Sequence, residues 1–265
     1  MRQRHQIILG AVIAATLAVG AGPAWAGESS TSPVTFSGGY TVDVAGVVSG
    51  GLAKRGRVLD DLQLGADIDL DKAVGWKGAR AHVLLLNNSG AMPNDDAGTL
   101  QGVDNIEVTR QRARLFEAWV EKGFGDKGSV LVGLYDLNSE FYANDSAGML
   151  LAPAFGIGSE LAATGPNGPS IFPSTALSVR GRWTPDEHVY VQAAVINANA
   201  GVLGDPGGVC TRFAHGLLTI AEVGWRGRGK VSFGAWRYTK KQADIRDVTP
   251  EGYPAAKTAQ GAYVL

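Results

Sequence analysis

Between Asp61 and Asp71 the chain alternates without a break: Leu62, Leu64, Ala66, Ile68 and Leu70 fall on one side, and Asp61, Gln63, Gly65, Asp67, Asp69 and Asp71 on the other. Successive side chains of an extended chain point to opposite faces, so this is a strand with one apolar and one acidic face. A helix would mix the two sets on every face. The same period of two predicts strands over 38–49, 79–87, 112–122, 129–137, 175–184, 188–197, 215–226 and 230–239, with a tenth beginning near Ala259 and running to Leu265.

The connections sort by length. Those at 72–78, 123–128, 185–187 and 227–229 are tight and rich in Gly, Asp or Pro, whereas 88–111, 138–174, 198–214 and 240–258 are long, and only 50–57 is intermediate. Two-faced strands joined by short turns at one end and long loops at the other describe an all-β, antiparallel outer-membrane β-barrel. In lipid a closed sheet is what pairs every backbone group. A secreted β-sandwich or sugar-binding β-domain without a pore also alternates, but has no reason to sort its loops in this way. In the barrel reading the N-terminus is periplasmic and the long loops are extracellular.

Composition agrees with two-faced strands. Thirty-seven glycines in 265 residues and a mean hydropathy near zero fit neither a helix bundle nor a disordered chain. With 24 Lys+Arg against 25 Asp+Glu there is no basic footprint for nucleic acid. The single cysteine, Cys210, excludes an internal disulfide, and whether it pairs between chains is left open.

At the N-terminus Arg2, Arg4 and His5 precede an uncharged run from Ile7 to Ala21, followed by Ala24-Trp25-Ala26. This reads as a signal peptide, 1–26, cut after Ala26, with the barrel domain spanning 27–265. Its removal takes the net charge from −1 to −3.

Charge on the lipid side costs about 2 to 4 kcal/mol at mid-bilayer, so polarity assigns the faces. The expected lumen set is Asp61, Gln63, Asp67 and Asp69, then Arg80 and His82, then Glu117, Trp119 and Glu121. Ser178, Arg180, Arg182, Tyr190, Gln192, Glu222 and Arg226 continue it. On 230–239 either Arg237 or the pair Trp236 and Tyr238 faces inward. Carboxylates on one wall and guanidinium groups on another set up a transverse field that favours a polar, neutral solute. Such groups, with Trp119 or Trp236 as stacking faces, also suit sugars, although a general diffusion pore carries similar charges. Tyr40, Trp76, Phe124, Trp183 and Trp225 fit interfacial girdles.

Nothing points to catalysis. His82, His188 and His215 are widely spaced, with no H-E-x-x-H pattern, so no metal site is expected. There is no G-x-S-x-G elbow. Gly224 to Val231 has the G-x-x-x-x-G-K spacing but Val where a phosphate loop needs Ser or Thr, and it joins two strands. No cofactor is expected.

The longest connection begins GLYDLNSEFY (Gly133 to Tyr142) and continues through SAGMLLAPAFGIGSELAATGPNGPSIFP (Ser146 to Pro173). Its apolar stretches argue for an ordered loop folded into the barrel mouth, and its length for a functional one. These segments, with LDDLQLGADIDLDKAVGWKGA (Leu59 to Ala79), LQGVDNIE (Leu100 to Glu107), RLFEAWVEKGFG (Arg114 to Gly125) and GAWRYT (Gly234 to Thr239), closely resemble the OprB family of carbohydrate-selective porins. The resemblance implies the outer membrane of a Gram-negative bacterium and passive uptake of glucose and related mono- or oligosaccharides. It implies a constriction loop carrying Tyr135, Asp136, Asn138, Glu140, Phe141 and Asn167. The pore lining expected beside it is Asp67, Asp69, Arg80, Glu117, Trp119, Arg180, Arg182, Glu222 and Trp236. Outer-membrane lipid is the other expected partner, and assembly into a homo-oligomer is left open. Family barrels are sixteen-stranded, so about ten strands here, ending at Leu265 and not at an aromatic, make the expected domain incomplete at its C-terminus.

Overall fold

The computed structural model describes residues 11–21, 32–144 and 146–265, without the side chains of 11–21, 245 and 246. Its centre is one antiparallel sheet whose strands follow chain order: β1 (Ala11–Ala21), β2 (Val34–Ser49), β3 (Gly56–Asp69), β4 (Ala79–Gly90), β5 (Arg112–Phe124), β6 (Gly128–Tyr135), β7 (Ala176–Trp183), β8 (Val189–Asn197), β9 (Leu217–Arg226), β10 (Lys230–Tyr238) and finally β13 (Gln260–Val264). The order is linear, with β1 and β13 at the two edges, and the sheet is not closed. A second sheet of two strands, β11 (Gln242–Val248) and β12 (Pro254–Lys257), stands in the connection between β10 and β13. From sequence alone that connection, 240–258, is expected to be a long loop.

The ten strands from β2 to β10, with β13, match the ten expected, most ends within a few residues. β2 and β3 begin earlier than the alternation suggested, so their connection shrinks to 50–55. The backbone of β1 falls inside the expected leader and pairs along β2, from Ala11 opposite Ser49 to Ala21 opposite Gly38. An unpaired strand edge is a template for any extended apolar segment. The proposed cleavage point after Ala26 lies outside the described residues.

The period of two becomes burial. From Lys230 to Thr239 every second side chain is buried or partly so and the intervening ones are exposed. The outer face carries exposed apolar groups such as Val44, Leu64, Val132, Val179, Val195, Val223 and Phe233. Polar groups fill the inner face, and some are fully covered, among them Asp43, Arg180, Gln192 and Glu222. Among the described residues no helix is long and apolar enough to cross a membrane.

Register settles β10. Trp236 lies opposite Ile220 and Gly261, and Tyr238 opposite Leu218, all on the inner face, so Arg237 points outward near the long-loop end. There the cost of an outward charge is small. Trp76, Phe124, Trp183 and Trp225 are exposed at the short-turn end, where a girdle belongs. Tyr40 is a correction: with β2 starting at Val34 it sits well inside the strand opposite Leu62, and Phe36 takes the end position.

β3 also ends differently. The alternation through Leu70 and Asp71 predicted strand, but Leu70–Val74 is a short helix, α1, because Asp69 turns its carboxylate to accept from the Asp71 and Lys72 amides, at 3.0 and 3.1 Å. Gly75, at φ +74°, closes that turn.

Candidate functional site: a constriction loop and the wall it faces

β6 has only eight residues against thirteen in β5, so the outer half of β5 outruns its partner. The connection 198–216 fills that gap. The Leu115 amide donates to the Leu203 carbonyl at 2.9 Å, Arg112 reaches the Gly204 carbonyl, and Asp205 pairs with Arg114 at 3.1 Å. The chain from Asp136 to Thr175 leaves the wall here and folds over its inner face.

An apolar core holds that loop down. Leu137, Phe141, Ile157 and Leu161 from the loop pack with Tyr135, Ile196, Leu218, Ile220, Trp236 and Tyr238 from the strands. Most of these side chains are completely covered, and each adds about 1.5 to 3 kcal/mol by burial. Phe141, expected in the constriction loop, is therefore part of the core beneath that loop.

Two polar hubs fix the loop laterally. Arg180, 1% exposed, spans Glu121 of β5 and Glu140 of the loop: Nη2 lies 2.9 Å from a carboxylate oxygen of each, Nε 2.7 Å from Glu140, and Nη1 donates to Ser129 at 2.8 Å. Arg182 adds a 3.5 Å contact to Glu140, whose other donor is the Tyr135 hydroxyl at 2.6 Å. The second hub is Glu222. It accepts from the Tyr190 and Tyr263 hydroxyls, both at 2.7 Å, from Gln192 at 3.3 Å and from the Tyr142 amide at 3.0 Å. Tyr142 sits at φ +52°, an uncommon conformation for a bulky residue, and its ring stacks on Tyr263 at 4.0 Å and 6°.

The remaining expected loop residues serve the loop itself. Asp136 caps a one-turn helix by accepting from the Asn138 amide at 2.9 Å, and burial beside Glu117 pushes its carboxyl up to about 7. Asn138 donates to the Phe141 and Tyr142 carbonyls. Asn167 clasps Ala200 through both amide atoms, at 2.7 and 3.1 Å.

These contacts correct part of the sequence picture. Arg180 and Glu222 face inward as polarity required, yet both lie beneath the loop and hold it instead of lining an open path. Tyr135, 2% exposed, is likewise buried. Glu121 is paired with both Arg80, at 2.6 Å, and Arg180, at 2.9 Å. Asp69 is occupied as a helix cap.

Beside the loop runs a row of side chains on β3, β4 and β5 whose ends, Asp67 and Arg80, stay exposed. Asp67 is 2.8 Å from His82 Nδ1; the His82 ring stacks on Trp119 at 5.1 Å; Arg80 stands over the same indole at 5.1 Å; and the Trp119 N–H donates to Glu117 at 2.8 Å. Each of these side chains lies on the inner face, with Asp67 54% and Arg80 60% exposed. Across the loop Arg182, Arg226 and Lys230 gather round the Tyr190 ring, at 4.9 to 5.9 Å. Trp236 borders a cavity of about 1080 Å³ with Leu100, Glu160, Thr164, Gln242 and Gln260 at the long-loop end. A neighbouring cavity of about 1140 Å³ is lined by Arg110, Arg112, Arg114 and Arg212. Sequence reading missed this arginine set, although Arg110, Arg112 and Arg114 stand at a spacing of two that places them on one face of a strand. Among the described residues no cluster of three or more His, Cys, Asp or Glu side chains is placed to hold a metal ion.

A two-faced antiparallel sheet with an apolar exterior, a charged interior and a long loop packed against that interior is the wall of a porin. The chain belongs to the family described as carbohydrate-selective porin, OprB family, whose model matches residues 53–264. Among solved structures it is similar to the high-pH structure of Pseudomonas putida OprB, with a TM-score of 0.73 at 22% identity, covering 88% of this chain and 60% of that one. No curated protein matches it. The chain thus spans about 60% of the length of the solved relative. Porins of this family are outer-membrane proteins, described as carbohydrate-selective.

Proposed function

We propose that this chain forms part of an outer-membrane pore for passive, selective diffusion of glucose and related sugars, after removal of a leader at 1–26, with its long loops extracellular. The observation that carries the reading is the row Asp67, His82, Trp119 and Arg80 on the inner wall beside the loop, with Asp67 and Arg80 exposed at its ends. A pyranose has one apolar face and a rim of hydroxyls. An indole flanked by a carboxylate and a guanidinium answers both, through stacking and through paired hydrogen bonds. Glu117, held by the indole N–H, keeps the ring in its plane. Solute moves down its gradient, so no bond is made or broken and no cofactor is used.

Liposome swelling tests the proposal. Vesicles containing the protein should swell faster in glucose than in an uncharged non-sugar solute of equal size, and Trp119→Ala should bring the two rates together. Equal rates in the unaltered protein would overturn sugar selectivity and leave a general diffusion pore.

A further inference from the structure

Asp43 on β2 and Asp104 in the connection 91–111 are, respectively, 0% and 1% exposed, and their carboxyl groups meet within hydrogen-bonding reach. Neither Asp43 oxygen has a hydrogen-bond donor, and neither does Asp104 Oδ2. The fourth orphan on this part of the wall is Asn88 Oδ1 on β4, also buried, whose amide nitrogen is already committed to Asp61 at 2.8 Å. All four atoms are acceptors. Buried acceptors without partners are rare, and two buried carboxylates in contact repel unless a positive charge lies between them.

A shared proton answers only part of this. It joins one oxygen of Asp43 to one of Asp104 and leaves the second Asp43 oxygen without a donor. A hard divalent cation satisfies several oxygens at once, tolerates an irregular site, and completes its shell with water.

We propose that Asp43 and Asp104 hold a calcium ion that ties the connection 91–111 to the β2 wall. The bond would extend to the constriction loop, because the Asn105 amide, next to Asp104, donates to the Leu151 carbonyl at 2.7 Å. Calcium would then brace the loop from the side opposite its Arg180 and Glu222 hubs.

The test uses the complete chain folded in detergent at pH 7.5, with calcium chloride alone as the probe. Equilibrium dialysis with labelled calcium should find one ion per chain, and Asp43→Asn combined with Asp104→Asn should lose it. The thermal midpoint should rise with calcium and fall with chelator in the unaltered protein. Asp104→Asn alone, which relieves the repulsion and should fold, should lose that response. No calcium bound beyond the double variant, or an equal midpoint response in Asp104→Asn, would overturn the proposal. So would stabilisation that appears only on acidification, with no effect of calcium, which would assign the pair to a shared proton.

Discussion

Glu222 gathers two tyrosine hydroxyls, an amide side chain and the Tyr142 backbone N–H, so its carboxylate is saturated with donors while 2% exposed. An amide in its place presents two hydrogens to groups that also donate. Glu222→Gln should therefore cost about 1 to 3 kcal/mol, read as a lower urea midpoint of the detergent-folded protein. The loop, cut from this hub, should admit solutes with less discrimination in swelling assays. Asp136 makes a separate prediction. Its carboxyl is raised in the folded state to about 7, so between its unfolded value near 4 and that point the folded chain holds a proton the unfolded chain has released. The associated stability is full at low pH and is lost as pH rises through about 7. Thermal midpoints taken from pH 5 to 8 should fall for this reason, and Asp136→Asn, which keeps the helix cap, should flatten the slope.

At the scale of elements, register and residue size together make the loop possible. Gly224 lies opposite Tyr190 and Gly234 opposite Tyr263, and a Cβ at either would sit 2.3 or 2.1 Å from the facing ring. Each glycine thus leaves the space in which a tyrosine lies flat and reaches Glu222. Gly224→Ala and Gly234→Ala should each cost about 1 to 3 kcal/mol by overpacking. They should reproduce the loss of solute discrimination expected for Glu222→Gln, although neither touches the loop. Alanine at the outward position 221 is already present and shows that the strand backbone itself tolerates a Cβ there. Equal solute discrimination in the glycine variants and the unaltered protein would contradict this account of how the loop is held.

For the whole molecule the decisive asymmetry is between the two faces of the sheet. Val179 is half exposed on the outer face of β7, and Gln63 is exposed on the inner face of β3. Val179→Arg should lower the fraction of protein that resists SDS at room temperature in outer-membrane preparations, by the equivalent of about 2 to 4 kcal/mol, whereas Gln63→Arg should leave that fraction unchanged. Equal effects would mean that the outer face does not meet lipid. The same asymmetry explains why the strands were legible from sequence: a face that meets hydrocarbon cannot carry charge, so the alternation is enforced at nearly every position. The loops face no such rule. The β11–β12 hairpin and the docking of 198–216 on β5 left no comparable pattern.

The sequence by itself determined the class of element, the sorting of connections by length, the facing of nearly every wall residue and the family resemblance, because a period of two is a direct consequence of backbone geometry. It did not distinguish an inward residue that meets solute from one that meets protein. Asp67 and Arg180 stand on equivalent faces and read alike as charged lining, yet one is 54% exposed and the other 1%. Only the tertiary structure decided between them, since what covers Arg180 is a loop more than thirty residues long whose path depends on contacts far apart in the chain: Glu140 with Arg180, Tyr142 with Glu222, Asn167 with Ala200. Burial at such positions is a property of the packed loop and the wall together, and neither segment encodes it alone.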